Sequence, residues 1–143
     1  MIAVNITSQI SLAQALIAAD GVLGEHPPRF VSLASTSGIA GNRGQTNYAT
    51  SKAGVIAFVD ALAANLQGDR RHRERRRAGF IETEMTGRMP PLTREVARRL
   101  NSLQQGGMPV DVAEAISFLV SDEAGGIRGE TLRVCGQNMV GGR

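Results

Sequence analysis

Aromatic side chains are scarce in this chain of 143 residues: 3%, with no tryptophan and a single tyrosine. Any core built from it is aliphatic and alanine-rich. The lone cysteine, Cys135, excludes an internal disulfide. It fits a reducing compartment, so a cytoplasmic location is expected. No histidine lies near Cys135 in sequence, which reads it as a packed core thiol rather than a nucleophile. No apolar run approaches the roughly 18 residues of a membrane span. The N-terminus lacks a basic n-region and a clear cleavage site. Neither a membrane partner nor a signal peptide is expected, and no metal site.

What is present suits one globular domain: 42% of the residues are hydrophobic, which argues against disorder throughout. The net charge of +3 misleads, because residues 70–77 (R-R-H-R-E-R-R-R) carry +5 and leave the rest at −2. Such a run can mark a nucleic-acid patch. Here it is short and without aromatics, and no nucleic-acid partner is expected.

The most informative stretch is Ser35–Lys52, S-T-S-G-I-A-G-N-R-G-Q-T-N-Y-A-T-S-K. It joins a short apolar run (Phe30, Val31, Leu33) to a helical pattern from about Gln45 to Leu66. Tyr48 and Lys52 stand at i and i+4, on one helix face. A phenol with its usual pKa of about 10 is a poor proton donor near neutral pH. A nearby ammonium favours the phenolate, and the phenol then exchanges a proton with a substrate oxygen at useful pH. Ser35, at a strand end, could hydrogen-bond the same oxygen. A Tyr and a Lys at this spacing also recur on helix surfaces without any role. Gly38, Gly41 and Gly44 permit close approaches and unusual backbone. They do not match G-x-G-x-x-G, which argues against a phosphate loop here.

Taken whole, strand, Ser, glycine-punctuated loop and Tyr-x-x-x-Lys resemble the active-site segment of short-chain dehydrogenases/reductases. G-I-A-G-N-R-G-Q-T-N-Y-A-T-S-K-A-G is similar to 3-oxoacyl-[acyl-carrier-protein] reductases, and above all to long actinobacterial members. The resemblance implies a Rossmann-type α/β fold and NADP or NAD as cofactor. It implies an acyl thioester substrate, on acyl carrier protein or coenzyme A. It implies Ser35, Tyr48 and Lys52 as catalytic residues, with Tyr48 and Lys52 also on the cofactor. I-A-V-N-I resembles the segment whose Asn completes the catalytic set, which implies Asn5, at a mid-helix distortion that helps hold a water near the Lys. F-I-E-T-E-M-T-G resembles the segment touching the nicotinamide carboxamide, which implies Gly79, Ile81 and Thr83. Ala78 stands where that family has a proline. Relatives pair the two helices around the Ser strand between subunits, which implies a homo-oligomer through helices near 2–19 and 45–66.

The remaining pattern fills out the fold. Ile2, Ile6, Ile10, Ala13, Leu16 and Ile17 predict an amphipathic helix over 1–19, stopped at Asp20-Gly21. Arg29 to Ala34 predicts a strand. A helix is expected from a Thr93 cap with Val96, Leu100 and Leu103 inward. Another follows Met108-Pro109, with Asp111 and Glu114 as a capping-box-like pair and Val112, Ile116, Leu119 and Val120 inward. T-L-R-V-C-G predicts a final strand and turn, similar to the family's closing segment.

Two departures qualify the resemblance. The T-G-x-x-x-G-x-G turn that holds the pyrophosphate at a helix N-terminus is absent from these residues. The fold class expected is therefore the C-terminal half of a doubly wound parallel sheet. The arginine run also stands where relatives have a buried strand of the type G-V-T-V-N-A-V-A-P-G. Written in GC-rich codons and read one base out of frame, that peptide becomes R-R-H-R-E-R-R-R-A-G, which is residues 70–79. A compensated frameshift accounts for the run and for the return of F-I-E-T at Phe80. A central parallel strand needs a near-continuous apolar run, and each unpaired buried charge costs several kcal/mol. The strand around 70–78 is accordingly expected to be lost. Two functions remain open: reduction of 3-oxoacyl thioesters to 3-hydroxyacyl thioesters, or an inactive fragment that at most associates with an intact homologue.

Overall fold

The computed structural model describes residues 1–19, 29–65, 75–78 (backbone), 81–88, 90–127 and 129–137. Three short strands, β1 (Leu33–Ser35), β2 (Arg75–Ala78) and β3 (Thr131–Val134), make a parallel sheet in the order β1-β2-β3. Register sets Leu33, Arg76 and Leu132 in one cross-strand row and Ala34, Arg77 and Arg133 in the next.

This corrects the expected loss of the strand near 70–78. Residues 75–78 form the middle strand, and 70–74 lie outside the described residues. The reason is that a ladder is made by backbone groups, which every non-proline residue supplies. Between β1 and β3, an absent middle strand would leave two rows of N–H and C=O groups unpaired.

The first helix is present but not uniform. Ala3–Thr7 is a π-helical turn, and α1 (Ser8–Ala18) continues it. Ala13 is buried and Ile6, Ile10, Leu16 and Ile17 are half-buried, while Ile2 lies off the inner face. The stop at Asp20-Gly21 lies outside the described residues. The buried Ser32 hydroxyl donates to Gln9 Oε1 at 2.6 Å, tying α1 to the chain entering β1.

After Ser35 comes a single turn, α2 (Ser37–Ala40), then the long helix α3 (Thr46–Asn65). Parallel strands need such a crossover, and α3 supplies it between β1 and β2. Its buried face steps by four through Ser51, Val55 and Val59. Two close approaches require glycine. A Cβ at Gly38 would stand 2.7 Å from the Lys52 carbonyl carbon, and one at Gly54 would overlap the Ile6 side chain. Phe30 meets Phe58 edge to face, with centroids 6.2 Å apart.

Beyond the sheet lie α4 (Glu84–Gly87), α5 (Pro91–Arg99), α6 (Pro109–Val120) and a 3₁₀ turn (Asp122–Gly126). α5 starts at Pro91 rather than after a Thr93 cap, because proline at the first helical position needs no N–H partner. Val96 and Leu103 are exposed rather than inward. α6 is capped by Asp111, whose Oδ2 accepts the Met108 N–H at 2.7 Å; Glu114 takes no part in that cap. Leu119 and Cys135 are buried, the latter as expected. Arg29 donates to Asp122 Oδ1 at 2.9 Å, joining the entry to β1 with the end of α6. Among the described residues, no helix is long and apolar enough to cross a membrane.

Candidate active site

Ser35 ends β1, opposite Ala78 at the end of β2, so it stands at the carboxyl edge of the sheet. In open α/β sheets that edge is where ligands bind. The Ser35 hydroxyl accepts the Ser37 N–H at 3.2 Å, which starts α2. Gly41 and Gly44 then take φ of 71° and 74°, turning the chain into α3.

Tyr48 and Lys52 share one face in the first turns of α3, with Lys52 Nζ 5.8 Å from the Tyr48 ring centroid. That nitrogen donates to the Leu33 carbonyl oxygen at 2.8 Å, next to the strand that presents Ser35. Burial lowers the Lys52 ammonium from its usual value, because a half-buried charge loses hydration.

Asn5 sits in the π-helical turn and reaches the same segment. Its Nδ2 donates to Ser51 Oγ at 2.9 Å, and Ser51 Oγ donates to the Tyr48 carbonyl at 2.8 Å. The structure thus gathers Asn5, Tyr48 and Lys52 around the start of α3, with Ser35 at the neighbouring strand end. Ser51 was missed by sequence reasoning. Its signal was available: a hydroxyl at i−4 and i−8 from Val55 and Val59 lies on the apolar stripe, where a polar group needs a partner.

Ile81 and Thr83 follow β2 at the same edge, and Gly79 lies outside the described residues. Ile81 bridges to Gly107, and the Glu82 N–H donates to the Gly107 carbonyl at 2.8 Å. Thr83 is exposed, and its N–H donates to Thr86 Oγ1 at 2.8 Å. Glu82 holds α5 in place: its carboxylate takes Arg98 at 2.6 Å and Arg94 at 3.5 Å. Gly106 leaves the room for this, since a Cβ there would overlap the Glu82 side chain.

The Arg98 hydrogen bond, foremost, and the charges of Arg98 and Arg94 hold the Glu82 carboxyl below its ordinary value. A depressed carboxylate adds stability above its unfolded pKa of about 4.3, lost as pH falls through its folded value. Glu82→Gln is therefore expected to lower the urea midpoint at pH 7 and to flatten its fall below about pH 4.3. Urea unfolding between pH 2.5 and 7 checks this; an unchanged pH dependence would remove Glu82 as the clasp on α5.

Comparison with known proteins agrees with this geometry. A family model described as enoyl-(acyl carrier protein) reductase matches residues 1–136. The chain is 42% identical over 106 residues to a 3-oxoacyl-[acyl-carrier-protein] reductase of Thermotoga maritima, covering 74% of this chain and 43% of the relative. It is 36% identical over 132 residues to the Vibrio cholerae protein of that name, covering 92% and 53%. To a (3R)-3-hydroxyacyl-CoA dehydrogenase of Mus musculus it is 36% identical, covering 95% and 52%. Among solved structures, 4-hydroxyisoleucine dehydrogenase complexed with NADH matches with a TM-score of 0.81 at 25% identity, over 95% of this chain and 56% of that one. The chain spans about half the length of the relatives it matches. From the Ser35 strand end through the Tyr48–Lys52 helix to these relatives, the chain belongs to the short-chain dehydrogenase/reductase family.

Proposed function

We propose that this chain carries the proton-transfer half of an NAD(P)H-dependent reductase acting on 3-oxoacyl thioesters. The observation that carries the reading is the meeting of Asn5, Tyr48 and Lys52 at the head of α3, beside Ser35. The names of the Thermotoga and Vibrio relatives support the substrate class.

The residues present fit the nicotinamide-ribose end of the cofactor. Lys52 offers an ammonium already held at a carbonyl oxygen, whose other protons suit ribose hydroxyls, and Ile81 and Thr83 line the same sheet edge. When bound, a reduced nicotinamide supplies the hydride. Ser35 binds the substrate carbonyl oxygen through its hydroxyl. Tyr48 gives its phenolic proton to that oxygen as it becomes a hydroxyl. Lys52 stabilises the phenolate left behind by its positive charge, and Asn5 holds the water that returns a proton.

The pyrophosphate end is different. No glycine fingerprint for it stands among the 143 residues, and the chain spans about half of its relatives. As these residues stand, the second reading is favoured for the isolated polypeptide: an inactive catalytic half, and at most a module that associates with like chains. Val4 and Leu12, 72% and 54% exposed on the first helix, support self-association through the helices near 2–19 and 45–66. The proposed domain is thus 1–143 as a partial reductase domain. The test of the chemistry is a chimera that adds the part of a relative this chain does not match, with turnover of an acetoacetyl thioester as readout.

A further inference from the structure

Glu82 stands between Ile81 and Thr83, yet its side chain goes to α5. The carboxylate accepts from Arg98 Nε at 2.6 Å and lies 3.5 Å from an Arg94 guanidinium nitrogen. These arginines are four apart and share one face of the helix. Leu92 and Val96 are exposed on the same helix, and α5 contributes no buried side chain. Charge, more than apolar burial, therefore seats α5 on the segment before it. The chain after α5 returns to the same place. Gly107 bridges to Ile81, and its carbonyl accepts the Glu82 N–H at 2.8 Å. Glu82 is gripped through its side chain by α5 and through its backbone by the loop behind α5.

We propose that Glu82 is a positioning residue that ties the placement of Ile81 and Thr83 to the placement of α5. A shift of α5 must either break the carboxylate–guanidinium contact or carry Glu82 with it, and Ile81 and Thr83 are its covalent neighbours. Whatever moves α5 is then felt at the carboxyl edge of the sheet, and whatever holds that edge is felt at α5. The use of this tie in catalysis rests on the reductase reading above; the tie itself does not.

The test is backbone hydrogen exchange by NMR on the 143-residue chain. In Arg98→Gln the Leu100 amide of α5 and the Glu82 and Thr83 amides are expected to exchange together, about fivefold faster, as the loss of one hydrogen bond allows. The Val55 and Val59 amides of α3 keep their rates. Arg98→Lys, which retains the charge, restores most of the protection. If Arg98→Gln also loosens α3, the comparison passes to Arg94→Gln, which removes the longer contact and gives the same pattern at smaller size. Faster exchange in α5 with unchanged Glu82 and Thr83 amides would overturn the proposal. So would an equal effect on those two amides from Arg99→Gln, since Arg99 pairs with Glu95. No cofactor or turnover enters this readout, so the tie and the reductase reading can fail separately.

Discussion

Tyr48→Phe is expected to lower turnover by about 10²–10⁴-fold in a chimera that joins this chain to the part of the Vibrio cholerae relative it does not match. The substitution keeps the ring and its distance to Lys52 and removes one proton. Tyr48 is half-buried on an ordered helix, and its carbonyl, not its phenol, is what Ser51 holds. The fold has no stake in the hydroxyl, so circular dichroism should not change while turnover collapses. Acetoacetyl thioester reduction, followed by loss of nicotinamide absorbance, is the assay. A chimera that reduces its substrate equally well with phenylalanine at 48 would sink Tyr48 as the proton donor.

Replacing Arg76 by Val and Arg77 by Ala is expected to stabilise the chain by about 1 kcal/mol. The register supplies the reason. Arg76 lies between Leu33 and Leu132, so valine completes an apolar row. Arg77 stands in register with buried Ala34 and with Arg133, a row in which alanine removes one of two like charges. The middle strand of a parallel sheet is also where charge is least tolerated. Equilibrium unfolding in urea should show the midpoint rising by about 0.5 M. No rise would mean that the arginines sit in this strand without cost.

The same strand marks the limit of what could be read from the amino acids alone. Side-chain physics argued against a strand at 75–78, and backbone pairing between β1 and β3 outweighed it. Local signals served better where they were steric. Gly38 was legible because nothing larger fits against the Lys52 backbone, and Tyr48 and Lys52 because four-residue spacing leaves one outcome on a helix. Asn5 was reached only through resemblance; the π-helical turn that positions it has no sequence signature of its own. Glu82 and its two arginines were invisible because ion pairs sixteen and twelve residues apart depend on how α5 folds back. The start of α5 was misplaced for a simpler reason. Thr93 was given the cap, although two prolines before it already fix the entry.

Residues 75–78 lie where a strand is required, and the sequence after them reads F-I-E-T with Ile81 bridged to Gly107. The proposed catalytic residues thus stand around the head of α3, while no glycine fingerprint for the cofactor's phosphates occurs among the 143 residues.

Titration of the purified 143-residue chain with NADH and NADPH tests that claim most directly. The expected result is no saturable binding up to about 1 mM. Saturable micromolar binding that disappears in a Tyr48→Phe, Lys52→Ala double variant would contradict it.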